Sequence, residues 1–119
     1  NDALVGRVMI FRWSIQDRRV SASQSISVDA VEVAKRLDAK GFNPSDVTVT
    51  RGHLLLLAAR QRALVETDDS GKLVAALRLP LAQMHRQPEG LALAPDGRLI
   101  IADEGGKGRA RLGVYRPAR

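Results

Sequence analysis

Glu89, Asp103 and Glu104 are the side chains in this sequence best suited to chemistry. Carboxylates are hard oxygen donors, and a calcium ion takes about six to eight such oxygens. Asp46 adds a fourth acid, and Ser45 beside it offers a hydroxyl. The histidines are His53 and His85. With no cysteine in the chain, two histidines in different segments make a poor zinc set. His85, close before Glu89, has the type and place of a general base. Ser45 is a nucleophile only if a histidine approaches it, and no G-x-S-x-G elbow surrounds it. The run Gly105-Gly106-Lys107-Gly108 resembles a phosphate loop superficially, but that loop needs Gly-Lys-Ser/Thr opening a helix, and Arg109 follows here.

These residues need elements to place them. Residues 4–28 read as two strands around a polar turn at Gln16-Asp17-Arg18-Arg19. Val20, Ala22, Ile26 and Val28 fall on even numbers, the period-two mark of a half-buried strand. Trp13 sits on the first of these strands, where packing is its expected role. At Asp29 the period changes. Asp29 followed by Glu32 reads as a capping box, and Val31, Ala34 and Leu37 form one stripe of a short helix near residues 30–40 that Gly41 would stop. The continuous apolar run 54–59 reads as a strand buried on both faces. Asp68-Asp69-Ser70-Gly71-Lys72 and Pro95-Asp96-Gly97 are turn sequences between further strands.

Two stretches repeat. Pro44-Ser45-Asp46-Val47-Thr48-Val49 aligns with Pro88-Glu89-Gly90-Leu91-Ala92-Leu93 at an offset of 44. Gly52-His53-Leu54-Leu55-Leu56 aligns with Gly97-Arg98-Leu99-Ile100-Ile101 at 45, and Leu64-Val65 with Leu112-Gly113 at 48. A period of about 45 with four strands per unit is the arithmetic of a β-propeller blade. A lone four-stranded sheet cannot hide both faces, and stacked blades can. A β-meander or sandwich has the same strand count, but the repeat preserves loop chemistry as well as hydrophobicity. The expected fold is therefore all-β: a β-propeller fragment of about two and a half four-stranded blades with one short inserted helix. Residues 1–28 would supply outer strands of one blade, 29–41 the helical insertion, 42–80 a full blade, and 87–116 three strands of the last. Because a ring takes about four to eight blades, further blades or self-association are expected partners.

Composition narrows the rest. The chain has 119 residues, is 45% hydrophobic, and carries 19 basic and 13 acidic side chains for a net charge of +6. Its hydrophobic share suits a folded core. The longest apolar run, six residues at 54–59, is far short of the ~20 a membrane helix needs. The positive balance is mostly arginine, but no element carries a clean basic stripe, so nucleic acid is not an expected partner. A basic polyanion-binding surface stays the third reading of function.

In Gln87-Pro88-Glu89-Gly90-Leu91-Ala92-Leu93-Ala94-Pro95-Asp96-Gly97 and the following Leu99-Ile100-Ile101-Ala102-Asp103-Glu104-Gly105, together with Phe42-Asn43-Pro44-Ser45-Asp46-Val47 and Gly52-His53-Leu54, the chain resembles the SdiA-regulated (YjiK/CarP-type) β-propeller family of bacteria. The resemblance covers roughly 29–116. It implies the C-terminal portion of an exported, periplasmic or envelope protein, with a link to calcium for some members. Glu89 begins an inner strand and Asp103-Glu104 ends its antiparallel neighbour, so the three meet at one end of the sheet, with Asp46 at the matching position one unit earlier. Ser45, Asp46, His85 and Glu89 are the expected ligand contacts, and Glu89, Asp103 and Glu104 the expected calcium ligands. The competing structural reading is that Glu89 and Glu104 bond backbone amides of neighbouring loops. The leading function is a binding or scaffold protein. The alternative is a metal-assisted esterase or phosphoesterase, by analogy with propeller relatives.

Overall fold

A computed structural model describes residues 6–80 and 84–118. The expected strand start at Val5 and the head of the loop before His85 lie outside the described residues.

Strands β1 (Arg7–Ser14) and β2 (Arg19–Asp29) form an antiparallel pair, joined where Arg18 takes a left-handed backbone (φ 53°). Helix α1 (Ala30–Leu37) follows at once. The Asp29 carboxylate accepts from the Val31 and Glu32 N–H groups, at 3.0 and 3.1 Å, as the capping pattern predicts. Two details differ from the sequence reading. The buried stripe is Val33, Ala34 and Leu37, while Val31 is 52% exposed, because the helix meets the sheets one residue round from the expected face. The stop is Asp38, not Gly41. Asp38 turns left-handed (φ 52°), which lets the Ala39 N–H reach back to the Ala34 carbonyl at 2.8 Å.

Then β3 (Asp46–Thr50), β4 (His53–Ala58), β5 (Ala63–Asp68) and β6 (Leu73–Arg78) make a four-stranded antiparallel sheet in chain order. The strands β7 (Pro88–Leu93), β8 (Leu99–Asp103) and β9 (Arg111–Tyr115) make a separate three-stranded sheet. The two share one register. Val47 faces Leu56, which faces Val65; Leu91 faces Ile101, which faces Gly113. Those are the residues the repeat aligned. One short helix beside three antiparallel sheets is an all-β architecture consistent with a β-propeller fragment.

The core lies on both faces of β4. Leu54, Leu56 and Ala58 pack with Val28, Val33, Leu37, Phe42 and Val65. Leu57 packs on the opposite face with Leu79, Leu91 and Ile101, and Leu55 and Leu64 lean on that group. This is why the run 54–59 has no polar alternation. The turn after β5 is pinned to β2 through Gly71 (φ 91°), where a Cβ would stand 2.2 Å from the Ser27 carbonyl oxygen. Trp13 is not a packing residue. It is 56% exposed, since the distal half of the β1–β2 hairpin runs past the helix and the second sheet.

Truncating Leu57, which has no accessible surface, removes the main contact between the two sheets. Leu57→Ala is expected to cost about 2–5 kcal/mol, read as a lower urea midpoint with an unchanged slope.

Candidate functional site

The second sheet differs from the first at two positions of the same register. Where β4 has Ala58, β8 has Asp103; where β5 has Val65, β9 has Gly113. Gly113 leaves the space that the His85 ring fills, for a Cβ there would stand 3.2 Å from His85 Cε1. His85 is 1% exposed, and its Nδ1 lies 2.7 Å from Asp103 Oδ2. The carboxylate can only accept, so Nδ1–H donates to it. The other ring nitrogen, Nε2, shares a hydrogen bond with the Tyr115 hydroxyl. Tyr115 and His85 also pack ring on ring, with centroids 5.8 Å apart. A Tyr115–His85–Asp103 chain therefore ties β9, the loop before β7 and the end of β8. Burial, and after it the Asp103 charge, pushes the Tyr115 hydroxyl above its ordinary value of 10.0. Asp103 Oδ1 is buried and has no hydrogen-bond partner among the described residues. Such an acceptor costs about 1–3 kcal/mol when nothing donates to it.

Above Asp103 opens a cleft of about 340 Å³ between the stretch 84–87 and the glycine-rich loop 105–108. Arg86, Lys107, Arg109 and Arg111 line it, together with Asp103 and Glu104. All four basic side chains are exposed, and none is in an ion pair among the described residues.

The other expected site residues lie as follows. Ser45 donates its hydroxyl to the Leu57 carbonyl at 3.2 Å and to the Pro88 carbonyl at 3.3 Å. Asp46 accepts from the Val47 N–H at 2.8 Å through Oδ1 and from the Leu91 N–H at 2.7 Å through Oδ2. These two residues latch the first strand of one sheet to the first strand of the next. Glu89 and Glu104 are exposed, and the Glu104 backbone N–H donates to the Gln87 carbonyl at 2.9 Å. His53 pairs with Glu66 across β4 and β5 at 2.5 Å, away from this end of the sheet. Sequence reasoning missed Tyr115. It is the one tyrosine in the chain and shares its strand face with Gly113, which is the only signal it gives.

Calcium needs more oxygens than this arrangement supplies. Among the described residues no three His, Asp or Glu side chains gather into a group that could hold a metal ion. Asp103 offers one free oxygen, and four basic side chains line the same cleft.

Stacked antiparallel sheets with a buried polar chain under a basic cleft define the class of protein: an all-β fold with a site at the end of one sheet. The chain belongs to the SdiA-regulated family, whose family model matches residues 7–106, from β1 into the glycine-rich loop. No curated protein matches it.

Two outcomes follow from this geometry. Phenolate absorbance reports Tyr115 alone, and its midpoint should lie above 10.0 in the folded protein. Because the folded value is raised, the stability it contributes is full below about pH 10 and is lost as pH rises through that folded value. Tyr115→Phe should remove that alkaline slope from the unfolding free energy. Separately, Asp46→Ala strips the acceptor from the Leu91 N–H and should cost about 1–3 kcal/mol in urea denaturation. Asp46→Asn, which keeps an oxygen, should cost less.

Proposed function

We propose that the chain acts as a binding module and that its ligand sits in the cleft over Asp103. The observation that carries this is a buried carboxylate oxygen without a donor among the described residues, beneath a cleft of about 340 Å³. Small-ligand sites are concave, with a few polar groups placed in them, and run from about 300 to 1,000 Å³. A buried unsatisfied group has a stability cost that a binding role explains. Placement in the bacterial envelope, completion of the ring by further blades or copies, and a scaffold role belong to the same proposal; the family resemblance supports them. Among the described residues no helix is long and apolar enough to cross a membrane.

Calcium linkage is the second reading, favoured by the free Asp103 oxygen. It requires oxygen donors beyond the described residues. A hydrolase would need the expected ligands Glu89, Asp103 and Glu104 to converge, and no observation favours that reading.

Thermal-shift and calorimetric titrations with CaCl₂ and with small organic and inorganic anions test the proposal. At least one ligand should raise the melting temperature, and the rise should vanish in Arg109→Ala for an anion or in Asp103→Asn for calcium. Ligand shifts that survive both substitutions would place binding elsewhere and remove the cleft from the argument. Calcium uptake abolished by Asp103→Asn alone would favour the second reading. Ester or phosphoester turnover lost in Glu89→Gln would return the hydrolase.

A further inference from the structure

We infer that the ligand of this cleft carries a phosphoryl group. The inference rests on the binding reading above and names the chemical class of its ligand. Four features support it.

The first is charge. Four cationic and two anionic side chains line the cleft and leave it a net +2. A ligand of two negative charges neutralises it, and a phosphate or phosphate monoester near neutral pH carries between one and two.

The second is availability. Arg86, Lys107, Arg109 and Arg111 are exposed and unpaired among the described residues. The acid best placed to neutralise them is Asp103, but His85 holds it at 2.7 Å. Among the described residues neither Asp103 nor Glu104 forms an ion pair with these side chains, so their donors are free for a ligand. Arginine forks match phosphate oxygens two at a time, which a lysine or a lone amide does not.

The third is the loop. A Cβ at Gly105 would stand 2.6 Å from the Gly108 carbonyl oxygen and 2.7 Å from the Ala110 nitrogen, so the chain folds back on itself there. Gly106 is left-handed (φ 51°). Tight turns with a left-handed residue present successive N–H groups to one side and favour anions. The turn closes with the Gly108 N–H donating to the Gly105 carbonyl at 2.6 Å, and its glycines line the cleft without side chains.

The fourth is contrast. A wider hollow of about 640 Å³ runs along the β1–β2 hairpin, where Arg12 and Arg19 stand beside Asp17. Among the described residues no buried polar atom there lacks a partner, and its charges are fewer.

Calorimetric titration of the whole chain with inorganic phosphate, glycerol phosphate, acetate and CaCl₂ tests the inference. Phosphate and glycerol phosphate should bind, and acetate should not. The double variant Arg109→Ala/Arg111→Ala should weaken phosphate binding by about tenfold or more, the loss expected for charge-assisted hydrogen bonds. Its melting temperature and its Tyr115 absorbance titration should match the parent, which separates loss of the site from loss of the fold. Raising the salt should weaken binding further. Tighter binding of glycerol phosphate than of phosphate would point to a phosphorylated organic ligand; the reverse order would point to the free anion. Absence of phosphate uptake, equal uptake of acetate, or phosphate uptake unchanged in the double variant overturns the inference. If another ligand binds and the cleft substitutions abolish it, only the phosphoryl assignment falls. If the cleft substitutions alter the uptake of nothing, the binding reading falls with it.

Discussion

The two-sided burial of β4 is the constraint on which the rest of this structure depends. Leu54, Leu56 and Ala58 face a core shared with α1 and the β1–β2 pair, and Leu57 faces one shared with β7 and β8. A strand with one polar face could hold only one of these neighbours. Burying a leucine side chain contributes about 1.5–3 kcal/mol, and β4 does so toward both sides from consecutive residues. The neighbouring strands can then afford open faces. Val47 and Val49 on β3 and Leu112 and Val114 on β9 are all more than 40% exposed.

Polar chemistry enters where the second sheet departs from the first at equivalent positions. Ala58 and Val65 fill the hydrophobic core, whereas Asp103 and Gly113 admit a histidine and give it a partner on each ring nitrogen. A charged group in that place is costly unless it is hydrogen-bonded. One of the two Asp103 oxygens is satisfied and the other is not. The same fold unit thus makes a packing element in one copy and a polar site in the next. Ser45 and Asp46 show the converse, since their polar atoms serve the joint between the sheets.

The chain's excess of positive charge is not spread evenly around this site. Four of its basic side chains line a single cleft, and the nearest buried acid is committed to His85. The four basic side chains outnumber the two acids that share the cleft, so the field over it is positive.

Local pattern alone determined a great deal. The strand ending in the inward Ile26 and Val28, the Asp29 cap, the turn glycines and the repeat of Val47-Leu56-Val65 in Leu91-Ile101-Gly113 were legible because they arise from periods of two and 3.6 and from backbone rules acting within a few residues, although Val20 of the same alternation is 53% exposed. The family resemblance was legible too, in the stretch from Gln87 to Gly105. The helix face, its stop at Asp38 and the exposure of Trp13 were not, because each depends on which surface the neighbouring sheet presents. The sequence named His85 and Asp103 but not Tyr115, nor the bonds among them. They are 18 and 30 positions apart along the chain when measured from His85, and the pairing of β7 with β8 and of β8 with β9 brings them together. Side-chain types can propose carboxylates as a group, but whether they converge, bond a histidine or face solvent is decided by strand register and packing, interactions that act across the chain and leave no period in it.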